Sequence, residues 1–140
     1  MDEFEIIELS ESDWRDYKSI RLDSLRDSPD SFASTYEREV SFRPDQWKSR
    51  LRISSTIHDA VAIAAVSDKS LIGLLSCVIH GPDVKTAHLY QMWVSPGFRK
   101  RGVGSALVDH VKSWAVSKGC LLYTSPSPRD ATLSRMPSSA

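Results

Sequence analysis

The sequence lacks three features that would assign it to a specialised class of protein. Its formal net charge is zero, which gives no basis for binding to bulk nucleic acid or acidic membranes. It has only two cysteines, Cys77 and Cys120, without metal-site or disulfide spacing. No apolar run approaches the roughly 20 residues of a membrane span, and the acidic N-terminus has no signal-peptide pattern. With a length of 140 residues, these absences predict one soluble domain in the reducing cytoplasm.

Residues 87–119 carry the most informative pattern, a strand followed by a tight turn and a helix. Ala87–Val94 is apolar and aromatic enough for a buried strand, and Ser95–Gly97 supplies turn residues. The helix begins near Gly102 and Gly104, and Gly119 is placed to end it as a C-cap glycine. One face of the helix repeats at the helical period and is predicted to be buried: Val103, Leu107, Val111 and Trp114.

The junction between this turn and the helix combines positive charge with glycine. Arg99–Gly104 contains three cations and two glycines. The first N–H groups of a helix have no internal partner, and the helix dipole adds positive potential there. Glycine lets a ligand approach the backbone closely, so this end is predicted to bind an anion such as a pyrophosphate. The alternative is a solvated turn before an ordinary capped helix, which leaves the two glycines unexplained.

Two other phosphate-binding motifs do not fit. A P-loop requires G-x-x-x-x-G-K-[ST], which is absent, and a dinucleotide fingerprint requires a third glycine where Leu107 stands. The pattern Arg99-x-x-Gly102-x-Gly104, after a strand ending in Met92-Trp-Val-Ser-Pro96, resembles the acyl-CoA motif of the GNAT N-acetyltransferase superfamily. The resemblance covers the N-terminal part of that domain. It implies acetyl-CoA as co-substrate, no metal, and a cofactor-binding set of Met92, Trp93, Val94, Arg99, Lys100, Arg101, Gly102, Val103, Gly104 and Ser105.

The rest of the chain predicts an α+β fold. The predicted elements are a strand at 4–9, a helix from 11 to 28, a helix from 43 to 52, a hairpin of strands at 60–66 and 71–79, and the strand and helix described above. Ser10 and Asp13 stand in capping-box positions before the first helix. The order β-α-α-β-β-β-α is the N-terminal part of the GNAT acyl-CoA N-acyltransferase topology that the resemblance implies.

The same resemblance implies transfer of an acetyl group to a primary amine, which must lose a proton before it attacks. His88 matches the strand position where some family members carry a catalytic glutamate, and a pKa of about 6.5 suits a general base. The alternative for His88 is simple packing on the strand. Phe32 and Tyr36 lie in a segment similar to the helix-loop region that borders the acceptor site in small GNAT enzymes, and the alternative is loop packing. Cys77 is predicted to be core.

Two classes of function follow from the sequence. The first is an N-acetyltransferase acting on a small-molecule or peptide amine, with no nucleic-acid or membrane partner and, in the full-length form, a homodimer as an option. The second is a non-catalytic acyl-CoA-binding or interaction domain. A basic turn that docks on nucleic-acid phosphates is a distant third, because Arg99, Lys100 and Arg101 are too few for a basic face.

The character of the sequence changes at Cys120. Residues 120–140 are rich in serine and proline and show no strand or helix period, although the family's domain continues there with a fifth strand, a helix and two more strands. Cys120–Asp130 and Ser134–Ala140 resemble the translated constant regions of a transposase-library sequencing adapter. We therefore expect a partial GNAT domain at 1–119, a non-native and disordered tail at 120–140, and a truncated, inactive enzyme.

Overall fold

The fold is described by a computed structural model over residues 4–28, 34–56, 60–80, 86–120, 122–124 and 133–135. The strands are β1 Glu5–Glu8, β2 Ala60–Ser67, β3 Ser70–His80, β4 Thr86–Val94, β5 Leu122–Thr124 and β6 Leu133–Arg135. The helices are α1 Trp14–Asp27, α2 Tyr36–Val40, α3 Pro44–Thr56 and α4 Val103–Ser117, with short 3₁₀ turns at Glu11–Asp13 and Pro96–Phe98. This arrangement confirms the predicted α+β class and adds α2, β5 and β6 to the predicted elements.

All six strands form one sheet in chain order. Neighbouring strands are antiparallel except β4 and β5, which run parallel. The β4–β5 pairing, within the residues described, covers Thr86–His88 against Leu122–Thr124. Among the described residues, no strand pairs with Leu89–Val94 on that side. The second half of β4 therefore presents its backbone hydrogen-bonding groups at an open edge.

Helices cover both faces of the sheet and divide the apolar side chains into two cores. Helix α4 packs on one face, where Leu107 and Val111 meet residues of β2, β3 and β4. Helices α1 and α3 pack on the other face, with Tyr17, Leu25 and Trp47 at the centre of that core. Burial of each such large side chain stabilises the fold by about 1.5–3 kcal/mol. Within the described residues, no helix is long and apolar enough to cross a membrane.

A bulge in β4 changes which of its side chains face α4. Leu74 and Ser76 of β3, two positions apart, pair with Trp93 and Tyr90, which are three positions apart. Near the extra residue, Gln91 has a left-handed backbone with φ of 59°. Before the bulge the side chains that face α4 have odd numbers, and after it they have even numbers. An inserted residue has this effect because successive side chains of a strand alternate between its two faces.

The predicted buried face of α4 is wrong at one residue, Trp114. The first three members of that face are buried as predicted, but Ala115 is the next buried residue and Trp114 is only half-buried. Spacings of four residues keep the apolar stripe on one side of the helix as far as Ala115. The Trp114 ring lies at the border of the stripe, with its centroid 5.9 Å from the Lys118 ammonium nitrogen.

The prediction that no strand follows Gly119 is also wrong. Gly119 has a φ of 86°, and the N–H groups of Gly119 and Cys120 donate to the carbonyls of Val116 and Ala115, both at 3.0 Å. This Schellman arrangement ends α4, and Cys120 is buried in the α4-side core. Strand β5 then begins two residues later, beside β4. The non-native origin of residues 120–140 stays a prediction, and most of that segment lies outside the described residues.

Candidate functional site

The turn before α4 presents a row of backbone N–H groups. Lys100 and Gly102 have left-handed backbones, with φ of 63° and 83°, and glycine adopts this conformation at little steric cost. The first hydrogen bond of α4 runs from the N–H of Ala106 to the carbonyl of Gly102 at 3.0 Å. The N–H groups of residues 103–105 therefore precede the helical hydrogen bonds. With the exposed Lys100 and Arg101 beside them, they form an electropositive helix end suited to an anion.

Gly104 allows close packing between this helix end and β4. A β-carbon at Gly104 would stand 3.1 Å from the terminal methyl carbon of Met92 and 3.9 Å from a methyl carbon of Val94. Without a side chain, the first turn of α4 lies directly against the last residues of β4. The electropositive helix end is therefore adjacent to the open edge of that strand.

The arginine of the motif is anchored to α1. Arg99 donates from Nε to the carbonyl of Val94 at 2.8 Å, and its guanidinium forms an ion pair with Asp27, the last residue of α1. Trp93 donates from its indole nitrogen to the same Asp27 carboxylate at 2.9 Å. These hydrogen bonds, from Trp93 first and then Arg99, lower the pKa of Asp27. Arg99 therefore ties the end of β4 to the end of α1 and is less available to a ligand than Lys100.

The bulge in β4 is contacted from the opposite layer by α1. The Tyr17 hydroxyl donates to Oε1 of Gln91 at 2.9 Å. Gln91 is half-buried and carries the left-handed backbone of the bulge. Such a conformation costs a non-glycine residue about 1–3 kcal/mol and persists where surrounding contacts impose it. The hydrogen bond from Tyr17 is one such contact.

Tyr17 itself is fixed by the core between α1, α2 and α3. Its ring packs edge-on to Trp47, with centroids 5.8 Å apart, and it also interacts with Arg50. Glu39 of α2 is fully buried and accepts hydrogen bonds from Arg21 at 3.0 Å and Arg50 at 2.9 Å. Burial alone would raise the pKa of Glu39, but the two guanidinium groups outweigh it and lower the pKa to about 2.

A group of rings lies on the sheet face opposite α4, along β3 and β4. The His88 ring is 4.8 Å from that of His80 and 6.4 Å from that of Tyr90, centroid to centroid. Tyr90 is 45% exposed, and His88 is half-buried. Partial burial and the neighbouring His80 lower the pKa of His88. His88 is therefore largely neutral at pH 7 and can accept a proton.

The residues of the predicted cofactor set fall on different faces of the sheet. Met92 and Val94 are half-buried and face α4, beside the electropositive helix end. Trp93 faces the other way, and its buried ring belongs to the core beneath α1 and α3. Val103 contributes its backbone to the helix end, while its side chain is buried. The backbone of residues 92–94, more than their side chains, runs along the open edge of β4.

The two residues predicted to contact the acceptor have different outcomes. Tyr36 is half-buried at the start of α2, and its ring centroid is 5.0 Å from the Arg26 guanidinium carbon. Phe32 lies outside the described residues. Cys77 is fully buried, and burial raises its pKa to about 12, so its thiol is core and not a nucleophile.

The sequence analysis did not single out Asp27, Gln91 or Tyr17 as residues of the site. Their partners are 66 to 74 positions away in the chain, so no local spacing indicates these contacts. One signal was available for Asp27. An acidic residue in the last turn of a helix is unfavourable next to the negative end of the dipole, unless a cation compensates it.

Comparison with known structures agrees with this fold. The chain is similar in structure to a GNAT-family acetyltransferase from Streptococcus pneumoniae (TM-score 0.73, 14% identity, covering 86% of this chain and 72% of that one). It is also similar to the aminoglycoside N-acetyltransferase AAC(6')-Iy in complex with CoA (0.71, 18%, 92% and 80%). A third similar structure is the PaiA N-acetyltransferase from Thermoplasma acidophilum in complex with coenzyme A (0.68, 20%, 86% and 77%).

Sequence comparison gives two results. No curated protein sequence matches the chain significantly. The family model described as "Acetyltransferase (GNAT) family" matches residues 8–132, which is most of the chain. The chain therefore belongs to the GNAT family of acetyltransferases.

Proposed function

We propose that this domain transfers an acetyl group from acetyl-CoA to a primary amine of a small molecule or peptide. The observation that carries the proposal is the placement of the α4 N-terminus against the open edge of β4. Acetyl-CoA supplies an activated acetyl group, and its diphosphate and its extended arm match these two features in charge and shape. Proteins of the same fold are named for amine acceptors, among them an aminoglycoside N-acetyltransferase. A cytoplasmic location and a homodimer of the full-length form stay predictions.

The residues present fit such a co-substrate. The N–H groups of Val103, Gly104 and Ser105 and the side chains of Lys100 and Arg101 provide donors and positive charge for a diphosphate. The backbone of Met92 to Val94 lies at the open strand edge and offers hydrogen bonds to an extended amide chain and to the acyl oxygen. Arg99 orients this turn through Asp27 and Val94.

His88 is proposed to act as the general base. An alkylamine has a pKa of about 10.4 and is protonated at neutral pH, so a proton must be removed before attack. His88 lies on the sheet face opposite α4, next to the exposed Tyr90, and is biased toward its neutral form by burial and by His80. It would accept the proton at an imidazole nitrogen, directly or through water. The acceptor would lie on this face, with Tyr36 and Phe32 as its proposed contacts.

The second candidate function is non-catalytic binding of acyl-CoA. It is favoured by the short pairing of β5, which spans three residues of β4 in the part of the chain that the structure describes, and by the proposed non-native origin of residues 120–140. A short fifth strand supports the open edge of β4 weakly. We therefore propose that the 140-residue chain itself transfers acetyl groups poorly, even where it binds acetyl-CoA.

Substitution of Gly104 tests the binding site. Gly104→Val places a branched side chain between the helix end and Met92, so the affinity for acetyl-CoA should fall at least about tenfold, which is about 1.4 kcal/mol. Titration calorimetry measures the affinity, and thermal melting confirms that the variant is folded. The matched control is Gly97→Val, because a β-carbon at Gly97 meets nothing within 4 Å. Equal affinity of both variants and the parent chain would refute the assignment.

A further inference from the structure

The left-handed residue in β4 has a hydrogen-bond partner in α1, outside the electropositive helix end. Gln91 adopts φ of 59°, a conformation that costs a residue with a β-carbon more than it costs glycine. Its side-chain oxygen accepts a hydrogen bond from the hydroxyl of Tyr17, with 2.9 Å between the two oxygens, across the interface between α1 and the sheet. The bulge lies directly before the residues whose backbone follows the open edge of β4.

Tyr17 is placed to hold the bulge because it cannot easily move. Its side chain is 2% exposed, and it packs against Trp47, which is itself fully buried. Arg50, which is anchored to the buried Glu39, also interacts with Tyr17. The position of the Tyr17 hydroxyl is therefore fixed by the core before any ligand binds.

We propose that Tyr17 is a positioning residue that holds Gln91 in its left-handed conformation and so fixes the backbone of Met92–Val94 for the acyl arm of acetyl-CoA. The inference rests on the proposed function, because it assigns that backbone to acyl-CoA. Removal of the hydroxyl leaves Gln91 free to relax toward an ordinary strand conformation. In that relaxed state, the side chains and N–H groups of Met92 and Val94 change face or register, as any loss of a bulge requires.

The test uses the full 140-residue chain in two backgrounds. Tyr17→Phe is made with Gln91 present and again with Gln91→Gly, because glycine adopts the left-handed conformation without support. Amide hydrogen exchange of residues 90–94 in the free protein reports the bulge, and calorimetry reports affinity for acetyl-CoA. Ser117→Ala is the control, since it also deletes one hydroxyl hydrogen bond, to the carbonyl of Trp114.

We expect Tyr17→Phe to speed exchange at residues 91–92 and to weaken acetyl-CoA binding by about tenfold when Gln91 is present. In the Gln91→Gly background the same substitution should change both quantities by less than about twofold. An equal loss in both backgrounds would show that Tyr17 acts only through overall stability and would overturn the inference, as would unchanged exchange at the bulge. Failure of the parent chain to bind acetyl-CoA would instead overturn the proposed function, and the exchange measurement would still decide whether Tyr17 holds the bulge.

Discussion

At the scale of single residues, the role of each ionisable group in the site depends on whether it forms an ion pair within the protein. Arg99 is the charged residue of the motif Arg99-x-x-Gly102-x-Gly104. Its ion pair with Asp27 and its hydrogen bond to Val94 use its guanidinium to join the end of β4 to the end of α1. His88, by contrast, meets only aromatic and imidazole rings in the contacts described, and its pKa is lowered. A half-buried neutral imidazole can take up a proton, whereas a guanidinium is already protonated and has no acceptor nitrogen.

We expect His88→Ala to lower acetyl transfer by about 10²-fold or more while leaving affinity for acetyl-CoA within about twofold, because a general base acts only in the chemical step. Activity would be followed by release of the CoA thiol with a panel of primary amines. His110→Ala is the control, since His110 lies half-buried on α4, away from this face. A pH–rate profile of the His88 variant identical to that of the parent chain would assign the proton to another group or to water.

At the scale of secondary-structure elements, the short helix α2 owes its position to one buried charge. Five residues form a marginal helix on their own. Thr35 caps it by accepting from the N–H of Arg38 at 3.2 Å, and Glu39 fastens it to α1 and α3 through Arg21 and Arg50. The α1–α3 layer, which also holds Tyr17, is thereby locked as a unit behind the sheet.

Glu39 should make the stability of this layer dependent on pH. Its pKa is lowered from 4.5 to about 2 on folding, so its contribution is fully present above pH 4.5 and is lost as the pH falls toward 2. Glu39→Gln should reduce the free energy of unfolding at pH 7 by about 3 kcal/mol. The free energy of unfolding of this variant should also fall less steeply between pH 4.5 and pH 2 than that of the parent chain. Urea unfolding at several pH values measures both effects. Glu37→Gln, on the exposed side of α2, serves as control, and equal pH profiles for the two variants would contradict the prediction.

At the scale of the whole molecule, the described strands pair over long stretches up to β4 and over a short stretch beyond it. The β3–β4 pairing runs from Gly73 to His80, whereas the β4–β5 pairing involves three residues on each strand. An open strand edge favours aggregation unless something covers it. Acyl-CoA would cover part of the edge in the proposed function, and a longer fifth strand would support the rest.

We expect the product of a reading frame that continues natively from Gly119 to transfer acetyl groups at least about 10²-fold faster than the 140-residue chain. The expected gain comes from a longer fifth strand beside β4 and from a general acid for the departing thiolate, for which this chain offers no assigned residue. The measurement compares turnover, cooperative thermal melting and solubility of the two proteins. A soluble, cooperatively melting 140-residue chain with equal turnover would refute this expectation.

The sequence alone determined the features that depend on neighbouring residues. The first four strands of the sheet, the turn before α4, the glycine that ends α4 and the electropositive character of its N-terminus follow from periodicity, turn chemistry and helix dipoles, all of which act over a few positions. The prediction for Trp114 was wrong because a shift of one position along a helix turns a side chain by about 100°, which decides whether a large ring is buried. The fifth strand was missed because pairing with β4, not local composition, makes three residues extended.

Only the tertiary structure decided how the site is held. The contacts of Tyr17 with Gln91 and of Asp27 with Arg99 join residues 74 and 72 positions apart. Such pairs form because packing of α1 on the sheet brings them together, and no pattern in the sequence carries that information. The bulge is likewise a property of two strands in register, since an inserted residue is defined only against its partner strand. The sequence therefore predicts the electropositive N-terminus of α4. The packing of α1 on the sheet determines the contacts that hold the adjacent part of β4.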